Sequence, residues 1–348
     1  MNKCIFIDAS CNLSIRDIPE KYHPKGGQAL IKVQYSAIAP ADLAHGKDMG
    51  MNNNVCGYEI CGIVIETGPT SRYAVGDIAF GSNYARPSKP AYHGGHQDFA
   101  ILESDPMSMK LPAGLPQADA AALGIMVRTA ADALINVFGI PFPAIDVFGP
   151  PATGGILIWG GASSVGTAAI QLARVMGLKP IFTTASPANH RELMSLGATQ
   201  CFDYRDPDIV NIVRAAAEKN ADPIKYVLDA VCKKGSPGTV DLCESIVTAP
   251  DVTFAGALPQ ISNHRWMLPF AARAYDIDVP SLPGGVKANM EWELRLEKVV
   301  SWVAINYGKE FRIPNVQIIK GAEMEIQAIK DVYEGKVSFA KVVIEHPL

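Results

Sequence analysis

The chain has 348 residues, 48% hydrophobic and 19% charged, with a formal net charge of −4. This length allows about two domains, and the composition builds a core of ordinary size and excludes long disordered stretches. No basic run marks a nucleic-acid or anionic-membrane surface.

In chain order, residues 1–7 hold one lysine and a very short apolar run, too little for a secretory signal. Residues 29–35 alternate as a half-buried strand does. Residues 61–68 form an apolar run closed by Gly68-Pro69, and in 73–80 a Gly76-Asp77 turn precedes another strand. Short strands with Gly and Pro between them predict a small barrel or irregular sheet over the first 120 residues. Residues 117–138, rich in Ala and Leu, predict two helices broken near Gly124. Residues 140–155, with four prolines and three glycines, read as a surface linker.

A regular alternation follows. Strands are expected at 156–159, 180–184, 200–202, 226–229 and 252–255. Helices are expected at 165–176, 189–196, 207–219 and 239–247. Such alternation predicts a parallel, doubly wound sheet. A helix at 290–305 and a strand at 341–344 close the chain. No window approaches the ~18 uninterrupted apolar residues of a membrane span. Seven irregularly spaced cysteines read as reduced thiols rather than a disulfide framework. The expectation is a cytoplasmic protein with no membrane or nucleic-acid partner.

The motif with chemical content is Gly160-Gly161-Ala162-Ser163-Ser164-Val165-Gly166, between an expected strand and an expected helix. A dinucleotide-binding turn needs small residues there. The chain must turn sharply, its N–H groups must approach a pyrophosphate, and the helix must pack close to the strand. Serine replaces the middle glycine and still permits close approach. A tight turn without a ligand is the plain alternative. NAD sites usually place an acid about 20 residues further on. The stretch from Thr183 to Arg191 contains none; it offers hydroxyls, an amide, a histidine and an arginine suited to a 2′-phosphate. NADPH is therefore expected over NADH, although Ser186-Pro187 also reads as the start of a helix. Gly161-Ala162-Ser163 begins like a hydrolase nucleophile elbow, but its final glycine is missing.

Ala121-Ala122-Leu123 with Thr129-Ala130-Ala131, Gln171-Leu172-Ala173-Arg174, and Leu196-Gly197-Ala198 before Phe202-Asp203-Tyr204 carry a resemblance. Over nearly its whole length the chain resembles the medium-chain dehydrogenase/reductase superfamily. Within it the chain is similar to zinc-independent quinone oxidoreductases and to fungal trans-acting polyketide enoyl reductases. The Trp159-Gly160-Gly161 turn, Ser186-Pro187-Ala188-Asn189 and the proline-rich linker carry the narrower match. The resemblance implies an α/β protein: a GroES-like β-rich catalytic domain plus a doubly wound parallel-sheet Rossmann domain. The implied division is 1–125 catalytic, 126–278 NADPH-binding, and 279–348 returning to the catalytic domain. It implies that Ser163, Ser164 and Val165 meet the pyrophosphate and that Ser186, Asn189 and Tyr204 surround the 2′-phosphate. Asp42 falls near the nicotinamide, and Phe339 and Ala340 on a closing loop.

Zinc-dependent relatives supply a catalytic Cys, a Gly-His-Glu and a further Cys or His. Here stand Ala39-Pro40-Ala41-Asp42 and Gly57-Tyr58-Glu59, so no metal is expected. His93 and His96 are the remaining candidate chelators, and read more simply as loop or pocket residues. Without a Lewis acid, an activated alkene is the natural hydride acceptor. The related fungal enzymes carry a lysine at the position of Ala44, with His45 and Lys47 nearby. Thr129, Tyr58 and Lys47 make up the candidate catalytic set. Thr129 also reads as a core-facing helix residue, and Tyr58 as filler of the empty metal space. The implied activity is reduction of a small-molecule or carrier-bound unsaturated substrate, with a polyketide synthase partner and a monomeric or homodimeric state. The alternatives are a quinone or alkenal reductase of detoxification, and a reductase fold with a non-redox or partner-binding role.

Overall fold

The computed structural model describes residues 1–348 except 87, 88, 105, 151, 261, 262, 279–281 and 283. Contacts divide the chain into two units: residues 1–125, 272–307 and 315–348, and residues 126–271 with 308–314.

The first unit is built around the strand Ala29–Ala37. One edge pairs antiparallel with Glu59–Thr67. The other edge is shared: Ala29 to Lys32 pair with Phe99–Leu102, and Tyr35 to Ala37 pair with Lys341–Glu345. Burial alternates from Ile31 to Gln34 and not beyond, with register shifts at Leu30/Ile31 and Val33/Tyr35 at the two limits. Ile31 and Val33 pack with Ile60, Val64, Ala79 and Leu102 in one core. Ile5, Ile7, Ile38 and Leu43 pack with Ile329, Val342 and Ile344 in another. The second core joins the first residues of the chain to the helix Ala322–Tyr333 and the final strand. The same strand brings a cation inside: Lys341 Nζ lies 2.9 Å from Glu59 Oε2, with both side chains buried. Glu59 Oε1 accepts the Ile125 N–H at 2.7 Å.

The second unit carries a six-stranded parallel sheet. Its order is Gln200–Phe202, Ile181–Thr184, Gly155–Trp159, Ile224–Asp229, Thr253–Gly256, Trp266–Met267. This is the doubly wound order of dinucleotide-binding folds, with its reversal between Gly155–Trp159 and Ile224–Asp229. Every residue of Gly155–Trp159 is buried, as a strand covered on both faces requires. Leu157, Trp159, Phe182, Val227 and Phe254 pack against Val213 and Cys243 from the helices Ile209–Glu218 and Thr239–Ile246. Gln171 explains why residues 308–314 belong to this unit. Its side-chain amide donates to the Arg312 carbonyl and accepts the Arg312 N–H, both at 3.0 Å.

The helix break near Gly124 is found between Gln117–Ala121 and Gly124–Ala131. The surface-linker reading of 140–155 holds for the described residues from Asp146 to Thr153, which are exposed or half-buried, but Ile140, Phe142 and Ile145 are buried around a short turn, Pro143–Ile145. Their apolar side chains were outvoted in the sequence by four prolines. Among the described residues no helix is long and apolar enough to cross a membrane.

Candidate active site

The glycine turn begins where the central strand of the second unit ends. Gly160 has φ +84°, and a Cβ there would come within 2.7 Å of Val231, just past the strand Ile224–Asp229. The turn thus sits at the point of strand reversal, where ligands bind at the carboxyl ends of such sheets. A Cβ on Gly166 would overlap the Gly160 carbonyl, and one on Gly161 would overlap the Thr183 hydroxyl. Small residues are needed here for close packing of helix on strand. Ser163 caps the helix Ser164–Val175, its Oγ accepting the Gly166 N–H at 3.0 Å. The N–H groups of Ser164 and Val165 lie in the first turn, where no intrahelical carbonyl is available. With the helix dipole they favour an anion, so the turn fits a pyrophosphate.

The neighbouring strand Ile181–Thr184 is tied to this turn. Thr184 Oγ1 accepts the Gly160 N–H at 3.0 Å, and its carbonyl accepts the Gly161 N–H at 2.9 Å. Beyond it, Ser186 and Asn189 are partly exposed, and neither side chain caps the helix that follows. Ser186 therefore stands at a helix start without spending its hydroxyl there. Arg191 is exposed. Tyr204 is exposed after the strand Gln200–Phe202, with the Arg205 guanidinium 5.7 Å from its ring centroid. The carboxyl of Asp203 is held below its usual range by hydrogen bonds from Arg205, 3.0 Å away.

In the first unit a different cluster surrounds Gly57-Tyr58-Glu59. Gly57 has φ +86°, and a Cβ there would lie 2.7 Å from His96. The Tyr58 hydroxyl and His45 Nδ1 are 2.9 Å apart. Lys89 Nζ sits 4.1 Å from the centroid of the Tyr58 ring and donates to the Gly57 carbonyl at 3.0 Å. Asp42 Oδ2 accepts the Ala39 N–H at 2.7 Å and lies 3.1 Å from His96 Nε2, while Oδ1 is buried with no hydrogen-bond partner among the described residues. His96 Nδ1 reaches Ser36 Oγ at 2.9 Å, and Ser36 Oγ reaches His346 Nε2 at 2.9 Å. Burial governs the acidities. It lowers His45 to about 4 and Lys89 to about 8, and it raises Tyr58 well above the usual phenol. At neutral pH His45 is an uncharged imidazole, Tyr58 a neutral phenol, and Lys89 an ammonium within reach of deprotonation.

His96 is engaged with Asp42 and Ser36, and His93 Nε2 lies 3.1 Å from Glu103. Among the described residues no group of three or more His, Cys, Asp or Glu is placed to hold a metal ion.

Comparison with known proteins gives a consistent result. Residues 25–112 match the alcohol dehydrogenase GroES-like domain family, and residues 164–246 match the zinc-binding dehydrogenase family. The trans-enoyl reductase himH of Aspergillus japonicus is 31% identical over 326 residues, covering 91% of this chain and 89% of the relative. The chain belongs to the trans-enoyl reductases. A second member, mpsG of Macrophomina phaseolina (strain MS6), is 27% identical over 343 residues, covering 92% of this chain and 91% of its own. Among solved structures, the CurK enoyl reductase superposes with TM-score 0.74 at 18% identity, over 99% of both chains. The quinone oxidoreductase from Coxiella burnetii gives 0.69 at 22%, again over 99% of both. The fold is that of the superfamily, a GroES-like domain with a Rossmann domain, and the chain is an enzyme, a reductase of activated C=C bonds.

In this trans-enoyl reductase the predicted site residues fall into two groups. Ser163, Ser164, Val165, Ser186, Asn189 and Tyr204 lie in the second unit, along the ends of its first three sheet strands. Thr129 is in that unit too, buried on the helix Gly124–Ala131. Asp42, Lys47, Tyr58, Phe339 and Ala340 lie in the first unit. Lys47 is exposed, its ammonium 4.3 Å from the Tyr333 ring centroid. Phe339 holds φ +54°, a left-handed conformation that a bulky side chain adopts only under constraint, just before the strand Lys341–Glu345. Sequence reasoning missed Lys89. It sits in a run of small and proline residues with no periodicity, and only its burial singles it out.

Proposed function

We propose that this trans-enoyl reductase uses NADPH to saturate the double bond of an α,β-unsaturated thioester or ketone. The substrate is a carrier-bound or released polyketide, supplied by a synthase that the enzyme serves in trans. The observation behind the cofactor choice is the end of the strand Ile181–Thr184. It leads into an uncommitted serine hydroxyl, an asparagine and an exposed arginine, where an acid would repel a 2′-phosphate. The substrate class rests on the relatives, which carry the name trans-enoyl reductase.

Bound, the nicotinamide supplies a hydride to the β-carbon of the alkene. The chain's own residues do the rest. The N–H groups of Ser164 and Val165, beside the capping Ser163, hold the pyrophosphate. Ser186, Asn189 and Tyr204 take the 2′-phosphate end. Asp42 with its uncommitted Oδ1, Thr129, and Phe339-Ala340 are assigned to the nicotinamide and substrate end. We assign the dinucleotide to residues 126–278 and the substrate chemistry to the remainder, with orientation and oxyanion stabilisation as the main catalytic terms.

The test is a pair of measurements on the purified enzyme. Tryptophan-fluorescence titration should show NADPH binding at least ~10-fold tighter than NADH, a difference of about 1.4 kcal/mol. Comparable affinities would overturn the cofactor assignment. NADPH oxidation with enoyl thioesters, quinones and enals should be fastest with a thioester. Preference for quinones or enals would move the enzyme to detoxification chemistry, and no oxidation with any of them would overturn the reductase assignment.

A further inference from the structure

The reduction needs a proton as well as a hydride, and Ala44, where the resemblance implies a lysine, supplies none. The first unit contains another candidate. Lys89 is 6% exposed, and no carboxylate forms an ion pair with it among the described residues. It makes one hydrogen bond, to the Gly57 carbonyl, and lies over the Tyr58 ring. Burying an ammonium costs several kcal/mol unless a charge partner offsets it. A backbone carbonyl and a ring face offset only part of that.

A lysine that merely anchored its loop would satisfy itself better in water or against a carboxylate. The groups around it make it useful instead. Burial disfavours its protonated form and the Asp42 carboxylate favours it, while Cys56 stays a neutral thiol because burial raises it. The Tyr58 ring is held edge-on to His45, with centroids 5.4 Å apart, and its hydroxyl is tied to His45. That fixes the ring face on which the ammonium rests. His45 is partly exposed, while Tyr58 and Lys89 are buried.

We propose that Lys89 is the general acid of the reduction, held by Gly57 and Tyr58, with His45 as a positioning residue. This rests on the reductase assignment above. The alkene gains a hydride at its β-carbon, the π pair moves onto the carbonyl oxygen as an enolate, and NADPH becomes NADP⁺. The enolate then re-forms its carbonyl as the α-carbon takes a proton from Lys89 Nζ. The N–H bond breaks, a C–H bond forms, and the neutral amine recovers its proton from water. An acid titrating near the working pH suits this step.

The test uses the full-length enzyme with NADPH and a short enoyl thioester. For the wild type, kcat/KM should fall as pH rises through about 8, the value to which burial lowers this amine. Lys89→Met should lower kcat at least ~100-fold, the usual scale for a general acid, and abolish that limb. NADPH affinity should change less than ~3-fold, because the dinucleotide-binding residues are untouched. Lys89→Arg should restore folding contacts and carry the limb upward out of range. A second readout does not depend on turnover. Labelling of the free enzyme with an amine reagent across pH, read by peptide mass spectrometry, should give Lys89 a midpoint near 8, below the exposed lysines. If Lys89→Met keeps the wild-type pH profile and loses only thermal stability, Lys89 is an anchor and the proposal fails while the reductase assignment stands. If the wild type reduces no enoyl substrate, both fall.

Discussion

The glycine turn of the second unit and the Tyr58 cluster of the first are made of different materials. The turn is mostly backbone: N–H groups, a helix end, and glycines whose missing Cβ atoms let chain segments touch. All of it lies within residues 160–166, with one neighbouring strand as support. The cluster is side chains, drawn from positions 42, 45, 58, 89 and 96, and its character comes from burial. A site of the first kind tolerates little change in shape. A site of the second kind tolerates shape changes but not changes in charge.

The largest effect on cofactor binding should come from filling the turn, and the largest on stability from removing a buried charge. Gly166→Val places carbon against the Gly160 carbonyl and should weaken NADPH binding at least ~100-fold, about 2.7 kcal/mol. Circular dichroism should show the sheet intact, and unchanged affinity would mean the turn does not hold the cofactor. Next comes charge in the first unit. Lys341→Met leaves Glu59 buried with only the Ile125 N–H and should cost about 3–5 kcal/mol in urea unfolding. Adding Glu59→Gln should recover most of that, and a double variant no better than the single one would count against the pair.

The third effect follows from His45. Its folded value of about 4 lies below its ordinary 6.5, so its neutral form stabilises the fold above pH 6.5. That contribution is lost as pH falls from 6.5 through 4, and it amounts to no more than about 3.4 kcal/mol. His45→Asn should therefore flatten the acid limb of stability between pH 7 and 4, measured by urea unfolding. An unaltered limb would place the acid sensitivity elsewhere. The smallest effect should be Lys47→Ala. An exposed cation over Tyr333 contributes about 0.5–1 kcal/mol, and turnover should change little. A collapse of turnover there would shift the proton chemistry from Lys89 to Lys47.

These differences also explain what could be read from the chain beforehand. The strand before Gly160, the helix after Ser163 and the absence of an acid near Ser186 are local patterns, so the parallel sheet and its turn were legible. The helix Met290–Ile305 was too, from its own periodicity. The helix Ala322–Tyr333 was not read, because it packs against residues from the other end of the chain; the strand Asn2–Ile7 was not read either, although it pairs with the adjacent Leu13–Ile18. Tyr58 drew attention only as a departure from a ligand pattern. Its bond to His45 and the ammonium on its ring depend on how distant loops fold, and no spacing announces them. The half-buried strand expected over residues 29–35 is found, and its alternation holds from Ile31 to Gln34 but not at Ala29 and Leu30. A shared edge and two bulges decide that strand's exposure, and both arise from its neighbours.

That shared edge has a consequence for the order in which the protein can be made. During synthesis the strand Ala29–Ala37 is followed closely by its partners Glu59–Thr67 and Phe99–Leu102. Its Tyr35-Ser36-Ala37 edge has no partner until residues 343–345 arrive. The Rossmann sheet can close well before that. Until residues 343–345 are made, the nascent first unit therefore shows an open strand edge, the kind of surface that chaperones cover and that neighbouring chains exploit.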